Sequence, residues 1–430
     1  MATTQPDRII SLDLIRGLAV LGIFSVNIIG MSFMQGVYFV PTLQGFDGLG
    51  DHIMYLVNFV LVDGKLRSLF SMLFGASMLL VVDRAVAAGR SGAKVHYARI
   101  FWLLVIGLLH YYVFWWGDIL SHYALIGGIA YFWWRRSAKV LLIWAAAFLT
   151  FNLGFSMFMG YQNYQQMQAE LAKAQTEAIE AGKPAPTLEE MIAKEDGGPP
   201  REVFDEAKAI HANLITHTEE QVSNHLAQPF MVSVFLLPET LGLMLLGMGL
   251  YRAGFLTGER DERTYRKWAL WGWGGSALFT IAVAAWIAAG NYSPMHTGVG
   301  RSLLTLPTRP IMAIGYAALM ILWIRGGMNW LSTRLAAAGR MAFTNYLGAT
   351  LVMTPIMFGF GLGQFGELTR GTAWLYFVPV LWLAMLVGSK WWLDRYRYGP
   401  LEWVWRSLAR WEIQPMRKAA PALAAPAAAQ

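Results

Sequence analysis

The stretch YARIFWLLVIGLLHYYVFWWGDILSHYALIGGIAYFWWRR, from Tyr97 to Arg136, decides the fold of this chain. It holds two membrane-length apolar segments joined by a short turn around Gly117 and Asp118. Basic residues mark both far ends, as in a hairpin that crosses a membrane and returns. The sequence therefore predicts an integral membrane protein built of helices.

Ionisable side chains lie close to the turn of this hairpin. His110 precedes the turn and His122 follows it, each by only a few residues. At about 1.5 Å of rise per residue, both imidazoles fall within about 10 Å of the same membrane face. Lipid penalises such groups unless they face protein or water, so they indicate a functional site.

The composition agrees with a membrane protein and excludes several other classes. Hydrophobic residues make up 56% of the 430 and charged residues only 14%, whereas a soluble domain carries roughly a quarter. The absence of cysteine excludes disulfides, thiolate metal sites and a cysteine nucleophile. The net charge of +7 is spread over short loops, so it does not indicate nucleic-acid binding. We expect the first apolar segment to be retained, because no signal-peptide cleavage pattern follows it.

Apolar runs of about 20 residues predict an all-α polytopic fold with about ten transmembrane helices. The ten candidate spans are 11–33, 56–82, 98–116, 118–134, 139–159, 230–251, 268–290, 306–325, 341–364 and 373–393. Loops rich in Arg and Lys alternate with nearly uncharged loops. The excess of positive charge on the inner side then places both termini in the cytoplasm.

One polar segment interrupts the membrane helices. We divide the chain into helices 1–5 (1–160), an extracytoplasmic insertion (161–228), helices 6–10 (229–410) and a cytoplasmic tail (411–430) that is Ala/Pro-rich and predicted to be disordered. The insertion is helical in pattern and carries 12 acidic and five basic residues. It is interpreted either as a solvated cap or as a surface that recognises an acceptor or a partner.

The histidines of the hairpin allow more than one interpretation. His110 is suited to act as a general base or to carry an acyl group, and a packing role stays open. Asp118 either orients an imidazole or caps the following helix in the pattern D-I-L-S. His122 fits a structural role or a place in the same site. Nothing in the spacing of these residues is diagnostic of a metal, and we predict none.

Further polar residues lie in the first two predicted spans. Asp13 and Arg16 share one helical face and either pair with each other or leave Arg16 to bind an anion from the cytoplasm. Asn27 lies deeper in the same span. In the second span, DGKLRSLFSMLFG places Lys65 about nine residues from either end, so it needs a partner or a water-filled cavity.

The later spans carry polar groups as well. Glu239 follows Pro238, which frees a backbone carbonyl, and Arg309 opens a span between two prolines. Asn345 supplies an amide in GRMAFTNYL. Such inward polar groups on several helices favour a cavity over a simple anchor. No phosphate loop, HExxH, GxSxG or dinucleotide fingerprint is present.

Five pieces of sequence resemble the YeiB family of bacterial inner-membrane proteins. They are SLDLIRG, GKLRSLFSMLFG, GLLHYYVFWWGDILSHYALIGG, GRMAFTNYL and GPLEWVWR, in order from Ser11 to Arg406. Through the SLD-x-x-RG opening and the number of helices, the family is similar to heparan-α-glucosaminide N-acetyltransferase and the transmembrane acyltransferase superfamily. The resemblance implies a multi-pass protein of the bacterial inner membrane.

The resemblance also implies an activity and a site. Those enzymes move an acyl group from cytoplasmic acyl-CoA to a hydroxyl or amine acceptor, commonly a sugar, across the membrane, with a histidine at the centre. The histidine of the lysosomal enzyme precedes its second span, where His52 stands here, whereas the YeiB-like motif supplies His110. We take His110 as the catalytic residue and Asp118 as its orienting group. Lys65 or Asn27 would stabilise the oxyanion.

The remaining candidates are assigned to substrates. The CoA phosphates would meet Arg84, Arg99, Arg340 and Arg16, and the acceptor (a sugar, glycan or lipid) would meet Asp13, His122, Glu239, Arg309, Asn345 and His52. The alternative is a transporter or flippase for a small metabolite or a lipid-linked sugar, in which Lys65, Glu239 and His110 are gating or proton-relay groups. A sensor or scaffold that docks through the acidic insertion is a third interpretation.

Overall fold

The computed structural model describes residues 9–186 and 201–418, and these form an all-α structure without a β-strand. The predicted disordered tail and the insertion segment 187–200 lie outside the described residues, apart from 411–418 of the tail. The helices are α1 (Ile10–Ser32), α2 (Gln35–Phe39), α3 (Leu49–Val57), α4 (Lys65–Ala87), α5 (Gly92–Val113), α6 (Leu120–Ala130), α7 (Ala138–Glu180), α8 (Arg201–Ile210), α9 (Leu214–His225), α10 (Gln228–Arg252), α11 (Glu262–Lys267), α12 (Ser276–Ala289), α13 (Pro294–Val299), α14 (Thr308–Arg325), α15 (Trp330–Arg340), α16 (Ala342–Met357), α17 (Arg370–Arg395) and α18 (Pro400–Arg410).

Seven helices in the described residues are long and apolar enough to cross a membrane, and the bent pair α13–α14 makes an eighth if it counts as one span. The protein is therefore a multi-pass membrane protein, and the count of about ten is not confirmed. Two of the ten predicted spans are short helices here: 118–134 is the 11-residue α6 with one further 3₁₀ turn, and 341–364 is the 16-residue α16.

Two helices occupy the centre of the bundle. Of the apolar 18-residue stretch in each helix, 72% is buried in α1 and 17% in α17. The helix α1 is therefore a core helix, and α17 faces outward. The helix α1 packs on α4, α15, α16 and α17, while α10 packs on α4, α6 and α7. The helix α4 is thus a neighbour of both α1 and α10.

The contact between α4 and α10 depends on two glycines. A Cβ atom on Gly75 would lie 2.2 Å from the carbonyl oxygen of Met244, and one on Gly247 would lie 1.8 Å from that of Met72. Small residues of this kind let the backbones of membrane helices approach closely.

We predict that Gly247→Ala separates α4 from α10, because the new methyl group meets backbone that cannot rotate away. The expected loss of stability is about 1–3 kcal/mol, as for other overpacked sites. Thermal melting of the purified protein measures it. Gly348→Ala is the control, since a Cβ there meets nothing within 4 Å. Equal melting temperatures for the two variants would contradict the prediction.

Two of the helix interruptions in the described residues face each other. A π-helical turn (Asn58–Val62) follows α3, and Gly64, at a φ of 73°, separates it from α4. The bent pair α13–α14 turns by 61° across a break after a second π-helical turn, Gly300–Leu304. A Cβ on Gly64 would lie 2.5 Å from Nε of Arg309, so the two interruptions touch.

The insertion is mostly helical where the structure describes it. The boundary expected at 160–161 lies inside α7, a continuous 43-residue helix about 65 Å long. That length is about twice the hydrocarbon thickness, so the helix continues beyond the membrane. The helices α8 and α9 rest on the loop after α16, where the Gly359 amide donates to the carbonyl oxygen of His211 at 2.9 Å.

Two histidines anchor this part of the insertion. The ring of His211 stacks on Phe365, 4.5 Å between centroids, and the fully buried His217 packs against Phe358. Burial lowers the pKa of His217 from 6.5 to about 4, and it lowers the pKa of His211 as well.

We therefore expect acid to loosen the insertion. A folded pKa below the unfolded value gives stability that is present above pH 6.5 and is lost as the pH falls toward 4. Between pH 7 and pH 5, His217 accounts for a loss of about 2 kcal/mol. Melting temperatures across this range measure the effect, and His217→Phe should flatten the curve. An unchanged slope in that variant would show that other groups carry the dependence.

Candidate functional site

The end of the hairpin brings His110 and Asp118 together. His110 lies in the last turn of α5 and Asp118 in the loop before α6. Nδ1 of His110 lies 2.9 Å from Oδ1 of Asp118, and both side chains are almost completely buried. This is the arrangement of a carboxylate that orients an imidazole.

Asp118 also caps the helix that follows it. Its Oδ2 accepts hydrogen bonds from the backbone amide of Ser121 at 2.8 Å and from the Ser121 hydroxyl at 2.7 Å. The two roles considered for Asp118 are thus both present, one on each carboxylate oxygen. Because its second oxygen is fixed by α6, the carboxylate holds the imidazole in one orientation.

The proton position on His110 follows from this pair. An ionised carboxylate only accepts hydrogen bonds, so in a neutral imidazole facing it Nδ1 is the nitrogen that carries the hydrogen and Nε2 is the one with the lone pair. Nε2 is buried and has no hydrogen-bond partner within the described residues. A neutral imidazole with an oriented Nδ1–H and an unengaged Nε2 is equipped to take a proton from an acceptor.

Aromatic rings surround the pair. The Tyr346 ring centroid lies 5.6 Å from that of His110, and Trp115 lies at 6.3 Å. The Tyr346 hydroxyl accepts from the amide of Ile119 at 3.3 Å and donates to the carbonyl of Gly117 at 3.4 Å, which holds the loop in place. Nothing in the sequence placed Tyr346 beside the histidine, since it lies on α16.

The first turn of α6 connects this pair to a second polar region. Nε2 of His122 lies 2.8 Å from the Thr240 hydroxyl on α10, next to Glu239. The Tyr123 hydroxyl lies 2.8 Å from that of Ser71 on α4. His122 therefore has a structural contact, and it lies between the His110 pair and the charges around Glu239.

Those charges, which we call the charge cluster, consist of Asp63, Lys65, Arg67, Glu239, Arg301 and Arg309. Arg67 Nη2 donates to Oε2 of Glu239 at 2.6 Å, and Arg309 Nη1 lies 3.4 Å from Oε1 of the same carboxylate. Arg301 Nε lies 3.1 Å from Oδ2 of Asp63. These pairs join α4, α10 and α14 with the turn before α14.

Lys65 and His110 have different hydrogen-bond partners. Lys65 is the first residue of α4, fully buried, and its ammonium donates to the carbonyl oxygen of Phe59 in the π-helical turn. His110 pairs with Asp118, and Asn27 is half-buried in α1. The sequence predicts one continuous span over 56–82, whereas the break at Gly64 puts Lys65 at the start of a helix.

Two cavities adjoin the charge cluster, and neither is lined by His110 or Lys65. The larger, about 200 Å³, is mostly apolar and adjoins Asn152, Glu239 and Pro307. The smaller, about 30 Å³, lies between Tyr38, Tyr55, Asn58, Asp63, Arg301 and Arg370, together with four apolar residues. Arg301 and Arg370 were missed as candidates. Their positive charge next to apolar runs is the signal that marks them.

The predicted pairing of Asp13 and Arg16 is present. Their side chains are 3.2 Å apart, and Arg16 Nη2 also donates to Ser77 at 2.6 Å. Arg99 lies over the ring of Trp405, 4.0 Å from its centroid. Arg99 also interacts electrostatically with Arg16, and with Arg406 and Arg410 of α18. We call these four arginines the basic cluster. The sequence did not predict that α18 supplies two of them.

The other candidates are dispersed. Arg84 is exposed at the end of α4, and Arg340 donates to the carbonyl oxygen of Arg397. His52 packs between Phe46 and Tyr292, two residues that lie outside the hairpin. Asn345 joins α16 to α17 through Ser389 at 3.0 Å.

The described parts of the chain hold no group of three or more side chains suited to a metal ion.

Comparison with known proteins places the chain among relatives of full length. The family described as "Protein of unknown function (DUF418)" matches residues 250–412. The uncharacterized protein YeiB of Escherichia coli (strain K12) is 28% identical over 424 residues, 97% of this chain and 98% of the relative. The chain is similar to YeiB over almost its whole length. The predicted resemblance to YeiB is thereby confirmed.

A second relative extends the comparison. The uncharacterized protein YxaH of Bacillus subtilis (strain 168) is 27% identical over 432 residues, 97% of this chain and 99% of the relative. No solved structure matches the chain.

Proposed function

We propose that this YeiB-like protein is a membrane acyltransferase of the bacterial inner membrane. It moves an acyl group from cytoplasmic acyl-CoA to a hydroxyl or amine of a sugar, glycan or lipid on the other side. The observation that supports the proposal is the buried His110–Asp118 pair with its unengaged Nε2.

The reaction uses the pair as a base and then as an acid. Nε2 of His110 takes the proton of the acceptor hydroxyl as its oxygen attacks the thioester carbonyl. The new ester bond forms as the C–S bond breaks, and the imidazolium returns the proton to the leaving CoA thiolate. Asp118 stabilises the imidazolium without itself becoming protonated. Lys65 donates to the carbonyl oxygen of Phe59 and has no part in this step.

The basic cluster fits the phosphates of CoA. Four arginines of α1, α5 and α18 meet there, and guanidinium groups bind phosphate through paired hydrogen bonds. Arg99 and His110 lie on the same helix, separated by about 17 Å along its axis. The acyl-bearing arm of CoA must bridge this distance from the cytoplasmic end of α5.

The test is binding of acetyl-CoA to the purified protein in nanodiscs. We expect saturable binding that unlabelled CoA displaces and that Arg99→Gln weakens by about tenfold, the effect of losing one charge-assisted contact. Arg266→Gln is the matched control, because that arginine is exposed on α11. Binding that does not saturate would remove acyl-CoA from the proposal.

A transporter for a small metabolite or a lipid-linked sugar is the second candidate. It is favoured by the two touching helix interruptions at Gly64 and before α14, which resemble the discontinuous helices at transporter binding sites. Uptake of labelled solutes into proteoliposomes, with no acyl-CoA present, separates it from the enzyme.

A further inference from the structure

The charge cluster carries more positive than negative charge. Its four cations are Lys65, Arg67, Arg301 and Arg309, and its two anions are Asp63 and Glu239. Adding Arg370 and its neighbour Asp51 leaves the excess of two positive charges unchanged. Unbalanced charge within a membrane bundle is costly, so the cluster is suited to hold a further anion.

Several donor nitrogens of the charge cluster and of Arg370 have no hydrogen-bond partner. Arg67 Nη1, Arg309 Nε and Arg370 Nε are buried and find no hydrogen-bond partner among the described residues. Each buried donor without a partner costs about 1–3 kcal/mol. Guanidinium nitrogens recognise carboxylate and phosphate oxygens above other groups.

The smaller cavity has the right lining for such a group. Arg370, which is 4% exposed and has an unpartnered Nε, is one of the lining residues, and Arg301 is another. Its one carboxylate, Asp63, is already paired with Arg301. The hydroxyl-bearing rings of Tyr38 and Tyr55 complete the polar lining.

We propose that this cavity binds one oxyanion group, a carboxylate or a phosphate, through Arg301 and Arg370. Its volume of about 30 Å³ suits a single small group and not a whole metabolite. The group is either a free ion or the charged end of a lipid. His110 does not line this cavity. The proposal therefore applies whether the protein transfers acyl groups or transports a solute.

The probe is radiolabelled inorganic phosphate, and the sample is the full chain in phosphatidylcholine nanodiscs at constant ionic strength. We expect saturable binding of one phosphate per chain. Arg370→Gln should weaken it by about tenfold or more, and Arg370→Lys less, because lysine keeps the charge but loses the planar fork. Arg266→Gln, on the surface, should bind like the wild type.

A gentler variant covers the case in which Arg370→Gln does not fold. Tyr55→Phe keeps the ring that packs on Phe59 and Tyr292 and removes only the hydroxyl. It should weaken phosphate binding by about fivefold, the value of one hydrogen bond.

The second arm identifies the source of the oxyanion. The same nanodiscs are prepared with phosphatidylglycerol, and native mass spectrometry counts retained lipids. One anionic lipid per chain, lost in Arg370→Gln, would show that the group is a lipid headgroup, whereas phosphate binding alone would show a free ion. Saturable binding of neither probe to the wild type would overturn the proposal. Equal binding by Arg370→Gln and the wild type would overturn it too. Loss of phosphate binding in Arg370→Gln with acyl transfer intact would support the proposed site and show that it is separate from the proposed enzyme activity.

Discussion

His110→Gln is expected to lower acyl transfer by about 10²–10⁴-fold, the contribution of a positioned general base. Glutamine keeps a polar side chain near Asp118 but has no lone-pair nitrogen to take the acceptor proton. Asp118→Asn should also lower the rate, since the amide no longer fixes the hydrogen on Nδ1 of the imidazole. Release of CoA from acetyl-CoA, with envelope extract as acceptor, measures both variants.

The control for this experiment is His96→Gln. His96 is a buried histidine of the same helix α5, and its Nε2 lies 3.1 Å from the carbonyl of Gly127, away from the pair. It should keep activity near the wild-type level. Because Asp118 also caps α6, the melting temperature of each variant is recorded. A folded His110→Gln protein with unchanged transfer would exclude His110 from the mechanism.

Glu239→Gln is expected to destabilise the protein by about 3–5 kcal/mol, the cost of breaking a buried ion pair from one side. The carboxylate faces Arg67 and Arg309, and its loss leaves three surplus positive charges in the charge cluster where two stood before. Thermal melting or denaturant titration of purified protein measures the change.

The matched control is Glu262→Gln on α11. Glu262 pairs with Arg266 at 2.6 Å on an exposed surface, so its loss should change stability by less than about 0.5 kcal/mol. If phosphate occupies the neighbouring cavity, it should restore part of the stability of Glu239→Gln. Equal stability of the two variants would contradict the electrostatic account of the bundle.

The hairpin shows how far the sequence could predict the site. His110 and Asp118 are separated by one short turn, so their approach follows from local geometry, and so does the pair Asp13–Arg16 within one helix face. The sequence offers orienting His110 and capping α6 as alternatives for Asp118. It cannot show that the two carboxylate oxygens have different partners.

The charge cluster shows what the sequence could not predict. Its pairs join residues far apart in the chain, such as Arg67 with Glu239 and Asp63 with Arg301. The sequence predicts Lys65 inside a continuous span, because an apolar run indicates the length of a segment but not a break at Gly64. The same limit explains the span count, since the short helices α6 and α16 have apolar flanks that read as longer segments.

The central claim is acyl transfer at His110, and the most direct measurement is thiol release from acetyl-CoA by the purified protein. The chain contains no cysteine, so the protein itself adds no thiol to the assay. A blank with envelope extract but without acetyl-CoA gives the thiols of the extract, which are subtracted. With envelope extract as acceptor, we expect thiol release by the wild type, and by His96→Gln, with almost none from His110→Gln. Release at the same rate by the wild type and by folded His110→Gln, or none by the wild type with any envelope fraction, would contradict the account.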